Sequence, residues 1–432
     1  MGKKLWKFLA LALFAALLSS VAMADDLKKI ANNIDFGIQY RVMYNSSRIG
    51  AGNQYDFFRQ RLRLNFDVHT EDNVGGFLQM EFRGGWGGSS PADSDPRGAY
   101  AVNPFNRLQA RGVRYGYLYF PVGKAKITAG ILPLNDEVDQ MIFSGDWDFN
   151  VGGVTLTGGS DKVNYRVGYV RLIEGVSFRN SEIEDEDEHF LIGDLSSDFS
   201  HGNFGVHFYG VYGNLILSDV ADLTFRQTWV GPHVNLNVGS TKLRGVFLYN
   251  SGKLISNGGE DASGVLVRGE GSFALGKSDL SILAVFSSGD KGGEGFHTLQ
   301  GLLGTGGYWG YSYIFSPHGP SDVNDFGFEV SNRGYGLTTV QAQISIPVSD
   351  RLSIQGMGAL FRANKDMPTF NSATDKDLGT EFGVQFTETL GKNMNLQFGG
   401  AIALLGDAAK ANYQGFDKDT VNEIFARLQL EF

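Results

Sequence analysis

Fourteen residues, Asp56 to His69, constrain this chain more than any others: they read DFFRQRLRLNFDVH. From Phe58 onward, alternate positions carry Phe58, Gln60, Leu62, Leu64, Phe66 and Val68, and the positions between carry Arg59, Arg61, Arg63, Asn65, Asp67 and His69. A period of two is the signature of a strand with two chemically different faces. Wound as a helix, Arg59 and Arg61 would stand roughly 200° apart and both faces would be mixed. One face is apolar enough for hydrocarbon, and the other is a ladder of three guanidinium groups. Turned to lipid, each arginine would cost about 2–4 kcal/mol at the bilayer midplane, so the ladder must face water or counter-charges. The stretch therefore reads as a membrane-spanning strand with its arginines in a hydrated interior.

The first 24 residues stand apart. Lys3, Lys4 and Lys7 precede an apolar run from Phe8 to Val21, and Ala22-Met23-Ala24 has the small-x-small cleavage pattern, followed by Asp25-Asp26. The expectation is a cleaved signal peptide over 1–24 and one domain over 25–432. A retained helical anchor is the alternative; the short apolar run and the cleavage box weigh against it. Further on, nothing supplies eighteen consecutive apolar residues, so a membrane location requires a closed barrel, the other way to satisfy every backbone group in lipid. Removing the three lysines takes the net charge from −10 to −13. There is no cysteine, which excludes a disulfide scaffold and a thiolate metal site. The 59 glycines, 33 phenylalanines and 17 tyrosines suit tight turns and aromatic girdles.

Alternating segments recur at a steady beat. They fall at 35–44, 56–69, 76–83, 113–121, 125–133, 149–157, 162–172, 188–199, 204–213, 223–238, 242–250, 263–275, 278–288, 334–348, 351–362, 378–390, 394–405 and 421–432. Within 113–121, Val113, Tyr115, Tyr117 and Tyr119 alternate with Arg114 and Gly116. The connections alternate too: 158–161, 200–203, 239–241, 276–277, 349–350 and 391–393 are short, whereas 173–187, 251–262, 289–333, 363–377 and 406–420 are longer and polar. The fold class predicted is all-β, a transmembrane antiparallel β-barrel of about 18 strands (alternative 16). Short turns mark one rim and long loops the other.

Several stretches resemble the Gram-negative outer-membrane porin superfamily. The chain ends Leu428-Gln429-Leu430-Glu431-Phe432, similar to the alternating last strand with a terminal aromatic by which such proteins are recognised for insertion. The hairpin Val113-Arg114-Tyr115-Gly116-Tyr117 … Lys126-Ile127-Thr128-Ala129-Gly130 resembles the fourth and fifth strands of general porins. Ser287-Ser288-Gly289-Asp290-Lys291 resembles the corresponding step of alginate-export-type barrels, which have eighteen strands. Porins commonly close the fifth strand with Gly-Arg-Gln, whereas here Ile131 and Leu132 follow Gly130. The resemblance implies the cell outer membrane as location. It implies outer-membrane lipid, lipopolysaccharide and the barrel-assembly machinery (through Phe432) as partners, and leaves monomer and trimer open.

On porin topology the loop over 135–148 (NDEVDQMIFSGDWD) folds into the lumen, carrying Asp136, Glu137, Asp139, Asp146 and Asp148. The expected opposite wall is Arg41, Arg59, Arg61, Arg63 and Arg83, with Glu81 among them, so that acid faces arginine across a narrow watery gap. The bland alternative is that these groups pair structurally and fix the pore width. Arg114, Arg166, Arg226, Arg244, Arg268 and Arg427 are further candidates for inward basic positions, and Glu81, Glu270, Glu381 and Glu423 for wall acids. The function expected is passive diffusion of small hydrophilic, anionic solutes through an Arg-lined constriction, without cofactor, metal, nucleic acid or catalysis. The alternatives are a selective oligosaccharide or alginate-type export or uptake channel, a barrel hydrolase, and a plugged surface adhesin.

Three other features bear on function. The acidic run 182–188 is either a solvated loop or a divalent-cation site at the lipopolysaccharide rim, with no EF-hand-like spacing. Tyr308-Trp309-Gly310-Tyr311-Ser312-Tyr313, inside the 45-residue stretch 289–333, could stack on sugars or lid the pore, or else belong to a girdle or a strand. The seven histidines show no zinc spacing, and His207 or His233 enters only the hydrolase alternative, beside a serine on the outer rim.

Overall fold

A computed structural model describes residues 33–48, 55–70, 72–85, 109–147, 149–173, 188–213, 225–254, 260–303, 307, 309–322, 327–369, 373–412 and 419–432. The expected signal peptide, most of the 84–111 loop, Asp148 and residues 182–187 lie outside the described residues.

Eighteen strands follow in order: β1 (Ile34–Ser47), β2 (Tyr55–His69), β3 (Gly75–Gly85), β4 (Gln109–Val122), β5 (Ala125–Pro133), β6 (Asn150–Gly159), β7 (Val163–Ile173), β8 (Glu188–Phe199) and β9 (Gly202–Gly213). The second half comprises β10 (Phe225–Val238), β11 (Thr241–Leu254), β12 (Glu260–Leu275), β13 (Ser278–Ser287), β14 (Leu337–Pro347), β15 (Leu352–Pro368), β16 (Thr374–Gly391), β17 (Met394–Leu405) and β18 (Thr420–Glu431). Each pairs antiparallel with its sequence neighbour, and β1 pairs with β18 from Gln39↔Glu431 to Ser47↔Glu423. This last pairing closes the sheet and removes its edges, so no unpaired ladder meets lipid. The count is eighteen, not the alternative sixteen. Among the described residues no helix is long and apolar enough to cross a membrane.

The alternation read from the sequence is the barrel's inside and outside. Outward positions form an apolar belt that includes Phe36, Phe58, Leu78, Leu118, Val154, Val167, Leu195, Phe247, Leu360 and Phe382, all exposed. A sheet closed on itself and coated with exposed hydrocarbon is stable only in lipid, so the barrel spans a membrane. Tight turns join the strands at one rim. Gly123, Gly239 and Gly276 adopt φ of +61°, +61° and +69° there, a conformation that two-residue hairpin turns demand. β15 and β16 run further than expected, so the polar stretch over 363–377 is mostly strand and the connection shrinks to 369–373.

β4 departs from simple alternation in a way that matters for the site. The β3–β4 pairing slips between Gln79↔Tyr115 and Met80↔Val113, leaving Arg114 as an extra residue. This bulge turns Arg114 and Tyr115 both inward, each buried. The phase then reverses: Val113 and Leu118 point out, while Tyr117 and Tyr119 point in, the latter donating to Asp67 at 2.6 Å. The expectation that the three tyrosines share Val113's lipid face is therefore corrected by a single inserted position.

Candidate functional site

Among the described residues, two connections at the long-loop rim fold back into the barrel. The shorter, residues 134–149, is internally stapled by Asp136. Its carboxylate accepts from the backbone N–H of Val138, Gln140, Ile142 and Phe143 at 2.6–3.0 Å. Burial lifts this carboxyl to about 6, while those four donors pull the other way. Val138, Ile142 and Phe143 are fully buried, and the Phe143 ring meets Phe190 and Tyr209 of the wall edge-on at 5.1 and 5.0 Å. Arg114 donates to the carbonyls of Gly145 and Asp146 at 2.7 and 3.0 Å, fixing the loop's far end to β4.

The longer connection, between β13 and β14, is anchored at several points. Glu381 of β16 accepts from the backbone N–H of Tyr313, Ile314 and Phe315 at 2.6, 3.2 and 3.0 Å, and from the Ser312 hydroxyl. Gly383, two residues on, leaves room for the Tyr313 ring; a Cβ there would sit 2.7 Å from it. Trp309 donates to the Phe328 carbonyl at 2.9 Å, and the Trp229 indole reaches the His297 carbonyl at 2.7 Å. Trp309 and Tyr313 are buried within the lumen. They are neither a girdle nor a strand, nor exposed platforms for sugars. The two loops touch each other: Gln300 N–H donates to the Ile142 carbonyl at 3.0 Å, and the Trp147 and His318 rings stack with centroids 4.9 Å apart.

The arginine ladder faces inward, but its counter-charges are not those expected. Arg63 donates to Glu81 at 2.6 Å, Arg83 also pairs with Glu81, and Arg114 lies 4.0 Å from it. Arg61 and Arg63 share the Gln39 amide oxygen at 3.0 and 3.4 Å. The Arg59 guanidinium lies over the Phe57 ring, 4.0 Å from its centroid. Arg41 pairs with Asp322 of the longer loop. Burial alone would lift the Asp322 carboxyl; Arg41, Arg61, His318 and Arg427 around it hold it well below the usual carboxylate range.

Glu137 and Asp139 meet other arginines. Asp139 pairs with Arg244 of β11 at 2.6 Å and Arg268 of β12 at 2.7 Å, and Glu137 approaches Arg166 of β7 at 3.9 Å. Arg166 also pairs with Asp194 at 2.7 Å, and Arg268 with Glu270 at 2.7 Å. The acids of the shorter loop therefore dock on β7–β12 rather than facing Arg59, Arg61 and Arg63. Asp136 is spent on its own backbone. The acid that meets the early ladder, Asp322, was missed; no local pattern marks it, since 281 residues separate it from Arg41.

Two further expectations change. Arg226 is exposed and points outward, because Gln227 and Trp229, wholly buried, fix the opposite phase of β10. His207 and His233 lie on the inner wall: His207 bonds Asp194 at 2.7 Å and His233 at 2.6 Å, and His233 reaches Asn203 at 3.1 Å. A serine hydrolase pair on the outer rim is not what these rings build. Among the described residues no group of three His, Cys, Asp or Glu is arranged to hold a metal.

No protein-family model matches this chain, and no curated protein does. Solved structures do. OpdK of Pseudomonas aeruginosa, with vanillate, superposes with a TM-score of 0.59 at 13% identity, covering 93% of this chain and 99% of that one. OpdF of the same organism, in complex with glucuronate, gives 0.55 at 11% identity, covering 93% and 98%. A BenF-like porin from Pseudomonas fluorescens gives 0.58 at 12% identity, covering 93% and 99%. At this identity the likeness is one of fold, and the fold is that of the eighteen-stranded outer-membrane porins.

Proposed function

We propose that this barrel is a passive diffusion channel for small carboxylate-bearing solutes, narrowed by its two inward loops. The observation that carries the reading is the convergence of Arg41, Arg61 and Arg427, from three adjacent strands, on the single loop acid Asp322. A carboxylate entering a constriction loses water, and guanidinium forks replace that hydration with paired N–H donors. Arg59, Arg61 and Arg63 then offer successive sites along one strand, so that no single site need hold the solute tightly. In the unloaded channel, Asp322 supplies the counter-charge that a passing carboxylate exchanges with. Vanillate and glucuronate, found with two structural neighbours, are both carboxylates, which supports the solute class.

Reversal potentials across planar bilayers test this. A gradient of potassium glucuronate or benzoate should show anion preference, which the combined Arg41→Gln, Arg61→Gln, Arg63→Gln variant loses while still closing as a heat-modifiable barrel. Cation selectivity, or unchanged preference in the variant, sinks the carboxylate reading. Absence of any conductance sinks the channel itself and favours a plugged barrel.

A further inference from the structure

His207 of β9 and His233 of β10 sit on the inner wall beside the residues that dock the shorter loop, and the wall is shaped to hold them. Both are buried, at 1% and 5% exposure. Gly205 stands opposite His233 in the β9–β10 register, and a Cβ there would lie 2.5 Å from the imidazole Cε1. Any larger residue would expel the ring. The two imidazoles stack at 18° with centroids 4.8 Å apart, and His207 Nε2 meets His233 Nδ1 at 2.6 Å. The run continues at both ends: His207 Nδ1 meets Asp194 Oδ1 at 2.7 Å, and His233 Nε2 meets Asn203 Oδ1 at 3.1 Å.

Counting hydrogens along this run fixes its charge. At one end the Arg244 guanidinium, which can only donate, bonds the Asn235 side-chain oxygen at 2.7 Å. The Asn235 amide nitrogen must then face Asn203, and it donates to the Asn203 oxygen at 2.8 Å. That same oxygen receives His233, so His233 Nε2 carries a hydrogen. At the other end the Asp194 carboxylate takes Arg166 Nε at 2.7 Å and the Tyr209 hydroxyl at 2.6 Å, both donors, so the contact with His207 Nδ1 holds a hydrogen as well. The contact between the rings needs a third. Two neutral imidazoles supply two. The pair therefore holds one proton more than neutrality, and a buried imidazolium of this kind has its anion in Asp194.

We propose that His207 and His233 form a proton-binding site, one proton shared between the two rings, whose occupancy sets how firmly the shorter loop is held. Both ends of the run finish on that loop. Arg244 pairs with Asp139 at 2.6 Å and donates to the Glu137 carbonyl at 2.9 Å, while Tyr209 accepts from the Glu137 N–H at 3.2 Å and Arg166 approaches its carboxylate at 3.9 Å. The charged and titratable groups around the pair are thus Arg166 of β7, Asp194 of β8, Tyr209 of β9, Arg244 of β11, and Glu137 and Asp139 of the loop. Removing the shared proton leaves two hydrogens for three contacts, and one contact opens. Adding another sets two N–H groups face to face between the rings. Either change disrupts the run that positions Arg244, and the loop loosens. The site is independent of what passes through the lumen.

Histidine-selective nitrogen-15 NMR of the full chain in detergent micelles at pH 7 counts the protons. Three of the four ring nitrogens of this pair should be protonated, their signals assigned by loss in His207→Gln and His233→Gln. Two neutral rings with one hydrogen each overturn the site. Hydrogen exchange over 135–146, corrected for its intrinsic dependence on pH, tests the link to the loop. Between pH 7 and pH 9 Asp136, at about 6, stays charged and contributes nothing. Protection of the unmodified protein should fall about threefold over that interval, and the combined His207→Gln, His233→Gln variant should show no such dependence. An equal fall in the variant, or none in the unmodified protein, overturns the coupling. Neither measurement needs conductance, so this proposal and the channel reading fail separately. Heat-modifiable migration confirms that each variant is still a barrel.

Discussion

The two walls of the lumen are both rich in arginine, yet they treat their charges oppositely. On β2–β4, one buried carboxylate, Glu81, serves Arg63, Arg83 and, at 4.0 Å, Arg114. On β7–β12, Arg166 has Asp194 and Glu137, Arg268 has Asp139 and Glu270, and Arg244 has Asp139. The far wall uses its ion pairs to hold the shorter loop. The near wall gathers guanidinium groups around Glu81 of the wall itself and Asp322 of the longer loop. A count of arginines would have scored the two alike; what separates them is where each acid comes from.

Breaking the far wall should have the largest effect. Asp139→Asn leaves Arg244 and Arg268 short of a shared carboxylate, which should weaken loop docking by about 3 kcal/mol, the low end for a broken buried pair because Asp139 is partly exposed. Hydrogen exchange over 135–146 should rise, with larger and noisier currents; unchanged protection would show that Arg114 and the Phe143 contacts hold the loop alone. Asp322→Asn acts on the near wall and should leave that protection intact. It should raise carboxylate current roughly two- to fivefold, since the exchange partner loses its charge; an unchanged current would make Asp322 a structural tie only. The smallest effect concerns acid. A carboxyl whose folded value lies below its ordinary value of about 3.8 contributes stability that is complete above that value and lost only as pH falls below it. The part of the current set by Asp322 should therefore hold steady from pH 8 to 5 and change only below about 4. A step between pH 5 and 8 would point to another group, with Asp136 at about 6 the first to test by Asp136→Asn.

The barrel was legible because lipid enforces alternation. The edges of β5, β8 and β17 coincide with the expected 125–133, 188–199 and 394–405. Where alternation breaks, reading failed: the extra residue at Arg114 reversed the tyrosines, and the phase of Arg226 depended on Trp229 finding a partner in a distant loop. The site was half legible. Arg63 and Glu81 are direct cross-strand partners, so register alone predicts their meeting. The interior of 289–333 has no period to read, because its backbone is satisfied by wall side chains such as Glu381 and Gln341 rather than by a ladder.

The docking of residues 312–322 has a mechanical meaning. Their backbone is gripped by Glu381 on β16 at one end, and their last acid holds Arg41 on β1 at the other. Between those two strands lies the junction of β18 with β1, where the first and last strands pair and the cylinder is sealed. The longer loop thus works as an internal clasp across the weld, so whatever loosens it also tugs at the one joint that sequence-adjacent hairpins cannot reinforce.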